Sequence, residues 1–241
     1  HVSIDSTNTR AAAWARDGAP EGSVVVADHQ TAGRGRLGRT WTADEAKNLL
    51  FSVVLRPSLP ADRLGMITVA AAVAMAETMD GFAAPLRAAI KWPNDVLLRG
   101  RKCCGMLLES SFSERRSGHP DFVVLGVGLN VNQNRFPEAL SGQAVSLKQA
   151  ARRPIERAPL FAELLSQMEQ QYQTLLDGGD APIRAAYEAR LYRNGQTVTL
   201  RATDDGASIS GTVRGITGAG ALLLETNGRL QAFHAGDVTS R

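Results

Sequence analysis

The sequence predicts an α/β fold followed by a small antiparallel β-barrel. Short continuous apolar runs, such as Leu49–Leu55 and Phe122–Val127, have the length of buried strands. Alanine-rich and periodic segments between such runs, including Pro60–Met79, indicate helices. From Asn194 onward, short strands separated by glycine-containing turns replace the helices, which is typical of a small barrel. We therefore divide the chain into domains 1–193 and 194–241.

Composition excludes several function classes. The 241 residues are 44% apolar and 21% charged, which suits one large and one small domain with an ordinary core. A net charge of +3 with scattered basic residues argues against a nucleic-acid surface. The longest helical apolar patch, Val69–Ala76, is too short to span a membrane, and no signal peptide is visible. Cys103 and Cys104 are adjacent and cannot form an ordinary structural bridge, so we expect a cytoplasmic protein.

The first elements are a helix and a strand. Ser6 and Thr7 precede the alanine-rich helix Thr9–Arg16, and on local grounds they are best interpreted as helix-capping residues. Gly18 should end this helix. A strand at Val24–Ala27 then leads towards a glycine- and arginine-rich loop.

The middle of the chain is predicted to form short strands joined by turns. Ala88–Lys91 is a strand that enters the turn Trp92–Asp95. Val96–Leu98 and Cys104–Glu109 flank a predicted hairpin turn at Arg99–Lys102. The later predicted segments are a polar loop at 113–120, an irregular stretch after Val131, helices at 155–177 and 182–193, and strands at 196–201, 208–216, 221–225 and 230–234.

The loop from Gly33 to Trp41 has the sequence Gly-Arg-Gly-Arg-Leu-Gly-Arg-Thr-Trp. Glycine permits positive φ and close approach to a ligand, and arginine offers a planar fork of donors for carboxylate or phosphate. The loop is therefore either a mobile lid that closes over an anion or a solvated turn. The dinucleotide fingerprint fails because no helix follows and the region near Val53 is apolar, without the required acidic residue. The companion motifs of a kinase loop or P-loop are also missing.

Four polar clusters at predicted strand ends resemble the biotin protein ligase family when taken in order. They are Ser6–Asn8, Gln30–Trp41, Lys91–Asp95 with Lys102, and Asn130. The most specific parts are Gly-Arg-Gly-Arg-x-Gly-Arg-x-Trp and Lys-Trp-Pro-Asn-Asp, and the resemblance spans nearly the whole chain. It implies a class II synthetase-like catalytic domain, in which helices flank a mixed sheet, and a C-terminal SH3-like β-barrel. It also implies an ATP- and magnesium-dependent enzyme that activates biotin as biotinyl-5′-AMP and transfers it to one lysine of a biotin carboxyl carrier protein.

The resemblance assigns a biotin side to the site. Hydroxyl and amide side chains can donate to and accept from a ureido ring, which presents one carbonyl and two N–H groups. Lys102 would meet the biotin carboxylate, and Lys102 and Arg36 would be catalytic. The full biotin-binding set that it implies is Ser6, Thr7, Asn8, Gln30, Gly33, Arg34, Gly35, Arg36, Lys102 and Gly105.

It also assigns a nucleotide side, with Trp41 against the adenine and Asn130 reading the edge of that base. Magnesium would be bound mainly by the phosphates. Asp95 is the one plausible protein contact, although its side chain could instead cap the turn in which it lies. The implied ATP-binding set is Arg36, Arg39, Trp41, Asn94, Asp95 and Asn130.

For the remaining residues of interest, either two roles stay possible or an ordinary structural role is expected. Lys91 is either a phosphate ligand or a salt-bridged strand residue, and Trp92 is expected in the core. Leu37 stands where many relatives carry arginine, and Arg241 aligns with a basic residue that can approach ATP. We interpret Cys103 and Cys104 as buried small hydrophobes, and His29, His119 and His234 as surface or packing residues without metal spacing.

Alternatives from other function classes stay open. A lipoate ligase would share the fold and the adenylation chemistry, although the intact lid favours biotin. A sensor that binds biotin without catalysis is a second alternative, and an unrelated binding module is a third. Because the pocket motif already begins at Asp5, we expect no winged helix and no DNA binding in this chain. A homodimer is left open.

Overall fold

The computed structural model describes residues 1–116, 118–201 and 208–239 and is built on a six-stranded sheet. All strand pairs in this sheet are antiparallel. Parallel pairing occurs in a separate two-stranded sheet of β1 (Ser3–Ile4) and β3 (His29–Gln30). The large sheet has the order β2 (Val24–Ala27), β4 (Leu49–Leu55), β8 (Phe122–Leu129), β7 (Arg101–Ser111), β6 (Asp95–Leu98), β5 (Ala89–Lys91).

Helices cover both faces of this sheet, which confirms the predicted α/β class. The sheet was expected to be mixed, but its six strands pair only antiparallel, and short connections join β5, β6, β7 and β8 in turn. On one face, α2 (Gly65–Ala83), α4 (Arg157–Leu176) and α5 (Asp180–Glu188) enclose the main core. On the other face, α1 (Thr7–Arg16) packs on β2, β4 and β8 over a smaller apolar cluster. Successive strand residues point to opposite faces, so strands β4 and β8 contribute to both cores. Beyond α1, the second face carries small residues and is free to form a site.

Helix α2 is apolar over most of its circumference because most of it is surrounded by protein. Together with the turn before it, the segment Ala61–Ala83 is long and apolar enough to cross a membrane by length and composition. However, 72% of its most apolar window is buried inside the molecule, as is typical of a core helix.

The C-terminal part contains five strands: β9 (Thr197–Arg201), β10 (Ser208–Ile216), β11 (Leu222–Thr226), β12 (Arg229–Phe233) and β13 (Asp237–Thr239). They form an antiparallel sheet in the order β12-β11-β10-β9-β13. A bulge between Val213 and Gly215 bends β10, as strands bend at the corners of small barrels. This unit meets the α/β part through the Trp92 indole, whose N–H donates to the Gly220 carbonyl at 3.0 Å.

Most predicted elements occur within a few residues of their expected bounds, and Val24–Ala27, Leu49–Leu55 and Ser208–Ile216 match completely. Four elements were not predicted from the sequence: β1, β3 and β13, which have two or three residues each, and the short helix α3 (Leu147–Ala151) in the stretch expected to be irregular. Ser146 and Gln149 start α3 with reciprocal side-chain caps. The predicted turn at residues 204–206 lies outside the described residues, and the domain boundary after residue 193 stays a prediction.

Candidate active site

A cavity of about 620 Å³ lies on the α1 face of the large sheet. Its floor is flat because glycine occupies three positions on that face of β7 and β8: Gly105, Gly126 and Gly128. Its size is within the range of small-molecule sites. Fourteen of the fifteen predicted site residues line it: Ser6, Thr7, Asn8, Gln30, Arg34, Gly35, Arg36, Arg39, Trp41, Asn94, Asp95, Lys102, Gly105 and Asn130.

One end of the cavity is uncharged and rich in hydrogen-bonding groups. Gln30 Oε1 accepts from the Thr7 backbone N–H at 2.7 Å and lies 3.1 Å from Thr7 Oγ1. Ser52 Oγ lies 2.8 Å from Thr7 Oγ1 and 2.5 Å from Asn8 Oδ1. Ser52 was missed by sequence reasoning, although a fully buried serine within an apolar strand is a detectable signal.

The capping interpretation of Ser6 and Thr7 is wrong. Ser6 occupies the N-cap position of α1 but makes no side-chain cap hydrogen bond. Thr7 is already helical, and its hydroxyl lies 2.8 Å from Ser52 Oγ and 3.1 Å from Gln30 Oε1 instead of capping the helix. The start of α1 therefore supplies polar groups to the cavity.

The glycine–arginine segment folds as a hairpin over the cavity. Its two arms pair between Arg34 and Thr40, and the Gly35 N–H donates to the Arg39 carbonyl at 2.7 Å. Leu37, at the tip, has φ of 56° and a side chain exposed to solvent. It does not line the cavity, so the charge lost relative to an arginine lies at the outer surface.

Gly33 is the one predicted site residue that does not line the cavity. A Cβ at this position would lie 2.4 Å from the Trp41 carbonyl oxygen, where the two arms of the hairpin close. The Trp41 N–H donates to the Gly33 carbonyl at 2.9 Å. Glycine is required here because the opposite arm approaches so closely.

A bulge in β7 determines the direction of Lys102. The pairing between β6 and β7 shifts between Val96 and Leu97, so Cys103 is an extra residue. In a regular strand Lys102 and Gly105 would point to opposite faces, and the bulge brings them onto the same one. Lys102 Cε and Nζ accordingly cover Gly105, where a Cβ would lie 2.9 Å from both atoms.

Lys102 contacts two other predicted site residues. Its Nζ forms an ion pair with Asp95 Oδ1 at 2.7 Å and lies 5.4 Å from the centroid of the Trp41 ring, within cation–π range. The Trp41 indole in turn lies on Gly128, where a Cβ would come within 2.4 Å of the ring. Among described residues, the buried Trp41 Nε1 has no hydrogen-bond partner.

Arg36 is the most buried of the three arginines in the Gly33–Trp41 hairpin. Its guanidinium donates to Asn94 Oδ1 at 3.3 Å, and Asn94 is itself fixed by donating to the Met106 carbonyl at 2.6 Å. Burial lowers the pKa of Arg36 from its ordinary value, and Arg39 acts in the same direction, although the charges of Asp237 and Asp95 oppose the shift. A lowered pKa indicates a cation that would be stabilised by a further anion.

The C-terminal sheet also supplies a residue to the cavity. Asp237 of β13 forms an ion pair with Arg39. Burial alone would raise the pKa of Asp237, but the hydrogen bond and charge of Arg39, with the charges of Lys91 and Arg36, lower it overall. Asp237 was not predicted because only the fold brings β13 beside the hairpin.

The remaining predicted residues divide between cavity and core. Lys91 lines the cavity, which favours its interpretation as an anion contact. Trp92 is buried in the core, as expected. Asn130 is buried at the cavity wall, with its amide nitrogen 3.4 Å from the Val145 carbonyl. Arg241 lies outside the described residues.

The two cysteines are free and fully buried, which agrees with their interpretation as small hydrophobes. Burial raises the pKa of both thiols, so neither is a reactive thiolate. Among the residues that the structure describes, no three His, Cys, Asp or Glu side chains are grouped to hold a metal ion.

Charge decides what this cavity can bind. Five cationic side chains and two carboxylates line it, so it has an excess of positive charge: Arg34, Arg36, Arg39, Lys91, Lys102, with Asp95 and Asp237. An uncharged polar pocket adjoins this cationic region. Together they suit a ligase that brings a small polar carboxylic acid and a polyphosphate into contact, two anions that would otherwise repel each other.

Comparison with known proteins identifies that ligase class more closely. Residues 2–130 match the model of the biotin/lipoate A/B protein ligase family, and residues 195–239 match the biotin protein ligase C-terminal domain. The chain belongs to the biotin protein ligases of this family. The bifunctional ligase/repressor BirA of Bacillus subtilis is 38% identical, over 99% of this chain and 72% of that protein. The biotin–[acetyl-CoA-carboxylase] ligase of Paracoccus denitrificans is 36% identical, over 97% of this chain and 96% of its own length.

Comparison with a solved structure supports membership of the same family. Biotin protein ligase from Aquifex aeolicus in complex with biotin and ATP superposes with a TM-score of 0.85 and 26% identity, over 99% of this chain and 95% of that one. The predicted family and its fold are therefore confirmed, and the chain is a ligase.

Proposed function

We propose that this chain activates biotin as biotinyl-5′-AMP, at the expense of ATP, and transfers it to a lysine of a biotin carboxyl carrier protein. The observation that carries this proposal is that Lys102 and Arg36 line one cavity together with the uncharged pocket around Thr7 and Gln30. The biotin ligases among its relatives and the Aquifex complex with biotin and ATP support the same assignment.

The uncharged pocket would receive the ureido ring. Gln30 Oε1 is occupied by Thr7, which leaves the amide nitrogen of Gln30 as a donor for the ureido carbonyl. Asn8 and Ser6 line the same end and are buried. The Asn8 amide is already paired with Glu109 and Ser52, so it gives this end a fixed shape for the ring. The carboxylate tail would then extend along the glycine floor to Lys102.

In the first step, a carboxylate oxygen of biotin attacks the α-phosphorus of ATP, the bond to the β-phosphate oxygen breaks, and pyrophosphate leaves. The Lys102 ammonium has three N–H groups, so it can keep its contact with Asp95 and still donate to the reacting oxygens. Arg36 stabilises the charge that develops on the phosphate oxygens. These two cations supply the electrostatic stabilisation of the transition state.

The nucleotide would occupy the cationic end. Arg39 and Lys91 line it, and Trp41 lies at the junction of the two regions with an indole N–H that has no partner among the described residues. Asn130 lies at the wall with hydrogen-bonding capacity suited to the edge of a base. Burial of this amide favours a ligand that completes its hydrogen bonds.

Magnesium would neutralise negative charge on the β- and γ-phosphates when bound. Asp95 and Asp237 are the cavity carboxylates, and each is already paired with a cation. This donor set fits an ion carried mainly by the phosphates, with Asp95 as a supporting contact, and does not fit an all-protein cage.

In the second step, the amine of the carrier lysine attacks the activated carbonyl, an amide forms, and AMP leaves. The hairpin from Gly33 to Trp41 covers the cavity and would exclude water from the mixed anhydride meanwhile. This lid role gives a reason for the arginines that face inward.

The test uses labelled biotin, ATP and an isolated carrier domain, with and without magnesium. We expect label on the carrier only when ATP and magnesium are both present. A carrier in which the acceptor lysine is replaced by arginine should take up no label. Binding of biotin without any transfer or pyrophosphate release would instead indicate a sensor.

Two further proposals concern partners and location. We propose that residues 1–241 bind no duplex DNA, since their net charge is only +3 and their basic residues are scattered; tight sequence-specific binding at moderate salt would contradict this. We also propose a cytoplasmic location, because both cysteines are free.

A homodimer is compatible with the ligase activity, and sedimentation with and without biotin tests for it.

A further inference from the structure

Glu109 links the lid to the uncharged pocket. It lies near the end of β7, on the same face as Gly105 and Leu107. A single oxygen, Glu109 Oε2, accepts from Asn8 Nδ2 at 2.7 Å and from Arg34 Nη2 at 2.8 Å. One carboxylate therefore holds a buried pocket amide and a lid arginine at the same time.

The link continues across the sheet. Asn8 Oδ1 lies 2.5 Å from Ser52 Oγ, and Ser52 lies 2.8 Å from the Thr7 hydroxyl, which contacts Gln30. Ser52 pairs with Gly126 in the sheet, and a Cβ on Gly126 would lie 2.0 Å from Asn8 Oδ1. Glycine at 126 is what allows the Asn8 amide to lie in this position.

The carboxylate fixes the direction of this chain of hydrogen bonds. An ionised carboxylate only accepts, so the Asn8 amide must present its NH₂ group to Glu109 and its oxygen to Ser52. The Ser52 hydroxyl then donates its single proton to Asn8. Ser52 must then accept from the Thr7 hydroxyl, so the order set by Glu109 extends through Asn8 and Ser52 to Thr7. The Gln30 oxygen is held separately by the Thr7 backbone N–H, which leaves the NH₂ group of Gln30 for a ligand.

We propose that Glu109 is a positioning residue for biotin, which orders the pocket through Asn8 and holds the lid through Arg34. This inference rests on the proposed function and extends it to a residue that does not itself line the cavity. It predicts that the charge of Glu109 matters for biotin binding and for lid closure, and not for the phosphate chemistry at Arg36 and Lys102.

The test is Glu109→Gln, which keeps the shape but removes the charge and offers an NH₂ group that can face Arg34 or Asn8. We expect the KM for biotin to rise about tenfold, as for loss of charge-assisted hydrogen bonds, with kcat and the KM for ATP within about twofold of the parent. The matched control is Glu225→Gln, since Glu225 has 35% side-chain exposure and pairs with Arg214 in the C-terminal sheet, against 37% for Glu109. That control should leave both KM values unchanged.

A double variant distinguishes the contact between Glu109 and Arg34 from a general structural effect of the substitution. Glu109 acts on the lid through Arg34, so Glu109→Gln should raise the KM for biotin by a smaller factor in an Arg34→Ala background than in the parent. The increase that remains in that background measures the contact with Asn8. An unchanged KM for biotin in Glu109→Gln would overturn the proposal, as would equal increases in both KM values together with a lower melting temperature. If the parent itself failed to bind biotin, the proposed function would be lost, which is a different result from an active parent with an indifferent Glu109.

Discussion

Lys102 Nζ lies 2.7 Å from Asp95 Oδ1, and the two residues are presented by neighbouring strands of one hairpin. Because the ion pair fixes the ammonium above Gly105, the end of a flexible side chain is held at a defined point of the cavity floor. Positioning of this kind is what electrostatic catalysis requires, since a charge held in place needs little reorganisation during the reaction.

The first prediction concerns this lysine. Lys102→Ala should reduce the rate of biotinyl-AMP formation by about 10²–10³, the usual effect of deleting one transition-state donor. Rapid-quench measurement of the adenylate gives the rate directly. Lys47→Ala is the control, because Lys47 is exposed and does not line the cavity. An unchanged rate in Lys102→Ala would remove this residue from the mechanism.

A second prediction concerns retention of the intermediate. Arg36 reaches from the lid to Asn94, so Arg36→Gly should loosen the hairpin and let biotinyl-AMP escape, which would biotinylate bystander proteins. Leu37→Gly is the control: it adds a glycine to the same hairpin at a left-handed position, without removing a charge. If Arg36→Gly labels no more bystander protein than the parent does, Arg36 does not clamp the lid.

The third prediction uses the pKa of Asp237, which is lowered in the folded protein. A lowered carboxyl pKa contributes stability that is complete above the ordinary value of about 4 and is lost as the pH falls through the folded value. Asp237→Asn should therefore lower the free energy of unfolding at pH 7, by less than about 1 kcal/mol because Arg39 is largely exposed. Denaturant titrations should show this difference shrinking as the pH is lowered from 5 towards 2, and a difference independent of pH would contradict the assignment.

The fourth prediction tests the glycine floor. A Cβ on Gly128 would lie 2.4 Å from the Trp41 ring, so Gly128→Ala should displace the indole and weaken substrate binding by roughly 10- to 100-fold, the range expected for overpacking. The control is Gly81→Ala in α2, where no heavy atom lies within 4 Å of the added Cβ. That change should leave activity intact and stabilise the helix by about 0.5–1 kcal/mol. Normal KM values in Gly128→Ala would show that Trp41 is free to move aside.

The sequence indicated the cavity residues that lie in motifs, because each motif keeps its side chains close along the chain. Gly33–Trp41 and Lys91–Asp95 are such segments, and nearly all of their predicted members line the cavity. Local patterns also placed the long strands, since continuous apolar runs such as Leu49–Leu55 are strong signals.

The residues that were missed depend on pairing between distant strands. Ser52 and Glu109 contact pocket residues only because β4, β8 and β7 are adjacent in a particular register. Asp237 reaches Arg39 across 198 positions of sequence. The misinterpretation of Thr7 has the same origin, since a hydroxyl at a helix start suggests a cap until Gln30 is seen beside it.

The central claim is that Lys102 and Arg36 bring two anions together for adenylation. Its most direct test is the biotin-dependent exchange of labelled pyrophosphate into ATP by the unmodified protein, without any carrier and with lipoate as the alternative acid. We expect rapid exchange with biotin and background exchange with lipoate or with no acid. Exchange that lipoate supports as well as biotin does, or no exchange with either acid, would contradict the account.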